Sequence, residues 1–235
     1  MSVEQPLDEE IEFSERSLRC MQRNTTILSV ALLTVLGSCS AFCGDAYQND
    51  FEKADAGKTA GDLEFLVIGD GDFKVVQDEK SKVLELAATP LETYGCLFGP
   101  TEVEDVEVQL SAFGTLNGRR FPVFGAGLSG VGGYIARVNP AKKMLELVKG
   151  EEVKASAPYA WKTATWTTVK LSVKKIKDGQ WTVSAKAWER GQEEPKDALV
   201  KFDDAEKPLS GRASFWGIPY ASTVIRFDDL AVRKL

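Results

Sequence analysis

The chain has 235 residues, no histidine, and 29 basic against 35 acidic residues, for a formal net charge of −6. Without His, a Ser-His-Asp triad, a Cys-His pair and a His-ligated zinc are excluded, so any acid–base chemistry falls to carboxylates, Lys or Tyr. The acidic balance, with no lysine-rich face in the sequence, also lacks the electrostatic footprint of a nucleic-acid binder.

Arg16, Arg19 and Arg23 precede an apolar run over residues 27–36 that closes in small residues and Cys. This is the layout of a secretory signal, whose apolar core needs about 7–15 residues. A membrane-spanning helix needs about 20. Glu4, Asp8, Glu9, Glu10, Glu12 and Glu15 do not suit a cationic leader, whereas a start at Met21 gives a compact bacterial-type signal. The alternative is an acidic cytoplasmic leader on an uncleaved anchor. Two exits compete. Leu36-Gly37-Ser38-Cys39 has the form of a bacterial lipobox, with Cys39 acylated as a lipid anchor to the cell envelope. Ordinary cleavage after Ala41 or Ala46 gives a secreted or periplasmic product, and Gly37 and the second Cys at position 43 favour it.

Loss of residues 1–41 removes six acids and three arginines and leaves 29 acidic and 26 basic residues, net −3. The remaining ~190 residues suffice for one domain with a real core. Cys20 goes with the leader and Cys39 is lost or lipidated. Cys43 and Cys96 then form a candidate disulfide in an oxidising compartment. Cleavage after Ala46 leaves Cys96 alone, as a small buried thiol.

From Tyr47 onward the dominant period is two. Segments 73–77 and 83–88 flank a polar connection of hairpin length. A strand over 106–113 is followed by the turn Asn117-Gly118-Arg119-Arg120 and a strand over 123–129. Strands over 134–138 and 144–148 bracket Asn139-Pro140-Ala141-Lys142-Lys143. Segment 168–176 places Val169, Leu171 and Val173 on one face, with Lys170 and Lys174 on the other. Segment 181–188 turns Trp181, Val183, Ala185 and Ala187 inward, and the Asp178-Gly179 signal between the two predicts an antiparallel hairpin. Strands over 212–217 and 223–232 close the chain. Around a dozen short strands, with no long helix and no linker rich in Pro, Gly or Ser, predict an all-β sandwich or barrel in one domain over 47–235.

Several segments taken in order resemble one group. These are Asn49-Asp50-Phe51-Glu52, Gly133-Tyr134-Ile135-Ala136-Arg137-Val138, the Trp-led strand from Trp166 to Val173, Lys186-Ala187-Trp188, Glu194-Pro195, Leu209-Ser210-Gly211 and the run from Ile225 to Val232. Their order resembles the concanavalin A-like lectin/glucanase superfamily with a laminin-G-like jelly roll, near the bacterial 3-keto-disaccharide hydrolase-like domains. The resemblance covers nearly all of 47–235. It implies a two-sheet antiparallel β-sandwich and says little about activity, since one fold hosts many functions.

The glucanases of that group carry alternating acids, Glu-x-Asp-x-x-Glu, which place carboxylates on one face for attack and proton donation. The nearest string here is Glu102-Val103-Glu104-Asp105-Val106-Glu107, where Glu replaces the middle Asp and strand parity sends Glu107 to the other side. A carboxylate-dependent hydrolase would rest on Glu102, Glu104 or Asp228. A binding module would rest on aromatic platforms. Trp181 shares the apolar face of its strand and Trp166 leads a strand, so both read as core. Trp188 falls on the polar parity, and Trp216 and Tyr220 flank Gly217-Ile218-Pro219, a loop able to expose them. Arg119 and Arg120 can hold a carboxylate or sulfate on an acidic glycan, or stand as a solvated turn. Asp70-Gly71-Asp72, Asp203-Asp204 and Asp228-Asp229 are acidic groups of the kind calcium uses, although Asp-Gly also serves tight turns. Laminin-G-like domains often carry calcium, which makes Asp228 and Asp229 the metal candidates; no other cofactor is expected. The expected partner is a glycan or a cell-envelope component, and a structural accessory domain touching another envelope protein is the remaining alternative.

Overall fold

The computed structural model of the protein describes residues 45–58, 62–66, 73–88, 92–219 and 223–235. The leader over 1–41 with Met21 and Cys39, and also Cys43, Asp70-Gly71-Asp72 and Tyr220, lie outside those residues. Fifteen strands and no helix occur among the described residues. They are β1 (Asp45–Asn49), β2 (Glu64–Phe65), β3 (Phe73–Asp78), β4 (Ser81–Leu86), β5 (Tyr94–Glu102), β6 (Val106–Gly114), β7 (Val123–Leu128) and β8 (Tyr134–Asn139). The chain continues through β9 (Met144–Lys149), β10 (Glu152–Pro158), β11 (Thr167–Lys177), β12 (Gln180–Glu189), β13 (Val200–Asp204), β14 (Gly211–Ile218) and β15 (Ile225–Lys234).

The strands form two antiparallel sheets, as the period-two patterning predicts. The back sheet runs β13-β12-β11-β6-β15-β4-β3, with β1 also paired to β15; the front sheet runs β10-β9-β8-β7-β14-β5-β2. Alternation buries one face of each. Val169, Leu171 and Val173 point inward from β11, and Trp181, Val183, Ala185 and Ala187 from β12. The β11–β12 hairpin turns at Asp178-Gly179, where Gly179 takes φ 74°, a left-handed conformation that glycine adopts without a Cβ clash. The Asn117–Arg120 turn closes with two reciprocal backbone hydrogen bonds of 3.0 Å. Between the sheets, Phe215 of β14 stacks on Phe227 of β15 at 4.5 Å and lies 6.1 Å from Phe98 of β5. Each such ring, fully buried, contributes about 1.5–3 kcal/mol. Cys96 is a free thiol buried in this core, and burial raises its pKa well above the ordinary value.

Among the strands that escape the sequence patterning, β10 and β13 do so for a physical reason. β10 and β13 are sheet edges; β10 is mostly exposed, and β13 alternates buried Val200 and half-buried Phe202 with exposed Lys201 and Asp203. An edge strand is stabilised by backbone pairing on one side, and charge on it discourages edge-to-edge association. Trp166 also departs from expectation. It is not core but half-buried on the outer side of the back sheet, 5.5 Å from Phe113 and under the Arg190 guanidinium at 5.0 Å.

Candidate functional site

In β14, Phe215 is buried and its neighbours Ser214 and Trp216 face outward. Trp216 therefore stands on the outer face of the front sheet, in a strand and not in a loop as its Gly217-Ile218-Pro219 neighbourhood suggests. Both of its lateral partners are glycines: Gly95 on β5 and Gly125 on β7. The same cross-strand row continues from Gly125 to Arg137 on β8 and from Arg137 to Glu146 on β9. Reading across the sheet, the row is glycine, indole, glycine, guanidinium, carboxylate.

The glycines shape the indole's position. A Cβ on Gly95 would stand 2.7 Å from Cζ3 of Trp216, and one on Gly127 would stand 3.0 Å from its Nε1. Glycine inside a strand marks such close approaches. Trp216 Nε1 donates to Ser214 Oγ at 2.9 Å, which fixes the rotation of the ring. The indole thus lies along the sheet, partly exposed, beside a shallow hollow of about 80 Å³ lined by Thr93, Val123, Gly125, Ile135, Arg137 and Ile218.

The polar end of the row is equally constrained. The Glu146 side chain is only 3% exposed. It accepts from Arg137 Nε at 2.8 Å, Lys142 Nζ at 2.9 Å and Asn139 Nδ2 at 3.4 Å, and pairs with Arg137 Nη2 at 2.7 Å. Burial pushes its pKa up, but Lys142 and Arg137 outweigh that and hold it below the usual carboxylate range. Arg137 is fixed on one edge, and its Nη1 has no partner among the described residues. Strands lie about 4.8 Å apart, so the Trp216 and Arg137 backbones, two strands apart, are separated by about 10 Å. The half-buried indole and the guanidinium held by Glu146 therefore belong to one cross-strand row of the front sheet, two strands apart. Sequence reasoning missed this row, although Gly95, Gly125 and Gly127 inside strands were a readable signal.

The other candidates lie elsewhere. Trp188 alternates with buried Ala187 on β12 and so faces outward from the back sheet. Lys170 Nζ stands 6.0 Å from its ring, and Lys170 and Lys186 share Glu194 at 2.7 and 2.8 Å. Trp188 and Trp216 are on different faces of the sandwich and cannot form one platform. Asp228 and Asp229 do not stand as an open oxygen cluster. Both pair with Arg190 Nη2 at 2.9 Å, and Ser111 Oγ donates to Asp229 at 2.9 Å. Among the described residues, no three His, Cys, Asp or Glu side chains gather as a metal ion would need. Burial, then the neighbouring Asp229 charge, raises Asp228 to a pKa of about 6. Asp203 accepts from Thr182 at 2.6 Å, and Asp204 from Tyr134 at 2.8 Å and Lys149 at 2.7 Å.

The acidic string near β5 and β6 is dispersed as well. Glu102 pairs with Lys234 at 3.2 Å, Glu104 accepts from Trp181 Nε1 at 2.7 Å, and Glu107 lies 3.4 Å from Lys170. Each carboxylate is bound into the scaffold. Arg119 and Arg120 are exposed at the β6–β7 turn and form no ion pair with any described residue.

The arrangement of the strands defines the class. The protein has the fold of a galectin-like, concanavalin A-like jelly-roll sandwich, and solved structures share that fold. A Bacillus subtilis protein of unknown function with a galectin-like fold aligns at TM-score 0.56 and 13% identity, over 80% of this chain and 94% of its own. The metal-free carbohydrate recognition domain of Emp46p aligns at 0.55 and 10% identity, over 80% and 96%. A chain from the endo-acting O-glycanases of human gut microbiota aligns at 0.55 and 10% identity, over 82% and 100%. No family model and no curated protein matches the sequence.

Proposed function

We propose that the protein is an exported, non-catalytic carbohydrate-binding domain whose sugar platform is the outer face of the front sheet around Trp216. The observation that carries this is the cross-strand row from Gly95 through Trp216 and Gly125 to Arg137 and Glu146. A pyranose presents an apolar C–H face to an aromatic ring and hydroxyls at its rim, and such sites pair an aromatic surface with a few fixed polar groups. Here the ring is pre-oriented by Ser214 and the donor by Glu146, so little freedom is lost on binding. Carbohydrate recognition domains among the fold neighbours support the reading, and the signal-like segment over 27–36 supports export, either to the periplasm or outside, or to an envelope anchor at Cys39. Binding is preferred over hydrolysis because Glu102, Glu104 and Asp228 are each engaged by a structural cation or donor.

A glycan-array screen of the protein and its Trp216→Ala variant tests the proposal. The expected result is a specific set of signals lost in the variant while its thermal melt stays cooperative. A blank array with folded protein, or signals indifferent to Trp216→Ala, overturns it.

A further inference from the structure

The front-sheet platform is not the only concave surface. At one end of the sandwich the β6–β7 loop, the β8–β9 turn and the β10–β11 loop enclose a cleft of about 570 Å³. Its walls mix apolar groups with cations: Leu116, Phe121, Pro140 and Trp161 with Lys143 and Lys162. Leu116 is 40% exposed. Trp161 packs edge-on against Phe124 at 6.3 Å, and its Nε1 is buried with no acceptor.

Charge is segregated here. The segments 115–122, 140–143 and 159–166 hold five cations, Arg119, Arg120, Lys142, Lys143 and Lys162, and no Asp or Glu, in a chain of net charge −6. The linear sequence hides this because the cations arrive from three separate connections. Lys142 is neutralised by Glu146 and Lys162 by Glu189. Arg119, Arg120 and Lys143 have no carboxylate partner among the described residues. Lys143 and Lys162 line the cleft, and Arg119 and Arg120 stand on the β6–β7 loop between its lining residues Leu116 and Phe121; cations gathered at one cleft of an acidic protein favour anions there. Arg suits the planar, bidentate recognition of carboxylate or sulfate oxygens, and the indole and Leu116 supply an apolar wall for a ring.

We propose that this cleft is a second binding site, for an anionic oligosaccharide carrying carboxylate or sulfate groups. Trp161 and Leu116 meet its sugar ring, and Arg119, Arg120 and Lys143 meet its charge. A short anionic sugar is favoured over a nucleic acid because the cationic zone is confined to one cleft of a net-acidic chain, whereas a polynucleotide needs a continuous basic track. The site is separate from the Trp216 platform and stands whether or not that platform binds sugar.

Calorimetric titration of the full chain tests it, with a heparin-derived tetrasaccharide, a tetragalacturonate and neutral cellotetraose as probes. Either or both acidic sugars bind, and which one separates sulfate from carboxylate recognition. Affinity falls with added NaCl and drops about tenfold or more in Arg119→Ala/Arg120→Ala and in Lys143→Ala. These exposed positions leave the thermal melt unchanged, so lost binding is not lost folding. Trp216→Ala leaves acidic-sugar binding intact; if it abolishes that binding while the cation variants retain it, the front-sheet reading survives and the cleft proposal falls. The proposal is also overturned if neither acidic sugar binds, or if the cation variants bind as the parent does. It falls too if oligothymidylate binds as tightly as the sugars and loses affinity in the same variants.

Discussion

Gly95 stands directly opposite Trp216 across the β5–β14 ladder, and a Cβ on it would lie 2.7 Å from the indole Cζ3 and 2.8 Å from Cε3. The ring's position is thus dictated by the absence of a side chain on the neighbouring strand. Gly95→Ala forces the ring off its bed while leaving the indole in the protein. Such overpacking costs about 1–3 kcal/mol. If Trp216 acts as an oriented platform, Gly95→Ala loses most of the glycan affinity that Trp216→Ala loses, with a shifted tryptophan emission. Unchanged glycan affinity in a folded Gly95→Ala variant would show that the ring's orientation does not matter.

Glu146 holds Arg137 and Lys142 from a buried position, so its loss acts on both stability and the binding surface. Glu146→Gln keeps the shape but removes the charge that both cations face. A charge-assisted hydrogen bond is worth about 1.5–3 kcal/mol, and the loss is expected in that range at neutral pH. The folded-state pKa of Glu146 is depressed, so its contribution is full above the unfolded carboxylate value and is lost as pH falls through the folded one. Urea midpoints of parent and Glu146→Gln should therefore differ at pH 7 and converge on acidification. A gap that is constant with pH would rule out the charge as the source of the effect.

The sandwich was legible because alternation writes itself into each strand. Val169, Leu171 and Val173 against Lys170 and Lys174 give the facing of β11 directly, and Asp178-Gly179 gives its hairpin. Parity also placed Trp181 inside and Trp188 outside. It did not place Trp166, because the covering contact comes from Arg190, far along the chain, and its cation–π contact is invisible to a local period. The front-sheet row was hidden for a related reason. Gly95, Gly125, Trp216, Arg137 and Glu146 belong to five strands, and only the register brings them into line. Asp228 and Asp229 read as an oxygen pair for a cation in sequence, and the fold supplies that cation as Arg190.

Trp188 provides the complementary prediction. Its ring faces out from the back sheet beneath Lys170, beside the Lys170–Glu194–Lys186 pairs. An exposed cation–π contact is worth about 0.5–1 kcal/mol. Trp188→Ala is expected to lower stability by about that amount plus lost packing, and to leave the array signals that depend on Trp216 in place. Loss of the glycan signals in a folded Trp188→Ala variant, with Trp216→Ala binding as the parent does, would place the sugar site on the back sheet instead.

Asp228 sets the most specific pH dependence. Its carboxyl is buried on β15 beside Asp229, and its pKa of about 6 lies above the ordinary 3.8. Burial is the larger cause and the Asp229 charge the second; the Asp229 backbone N–H and Arg190 pull the other way without prevailing. The folded state thus holds a proton that the unfolded state releases between those two values. Stability from this group is fully present below about 3.8 and is lost as pH rises through about 6. Asp228→Asn removes the titration and also weakens the Arg190 contact, which shifts its stability by a pH-independent offset. The slope is therefore the diagnostic quantity. Between pH 4 and pH 7 the parent should lose stability relative to Asp228→Asn, read from urea midpoints at each pH. A parent-minus-variant difference that stays flat, or rises with pH, would mean that Arg190 holds Asp228 ionised throughout.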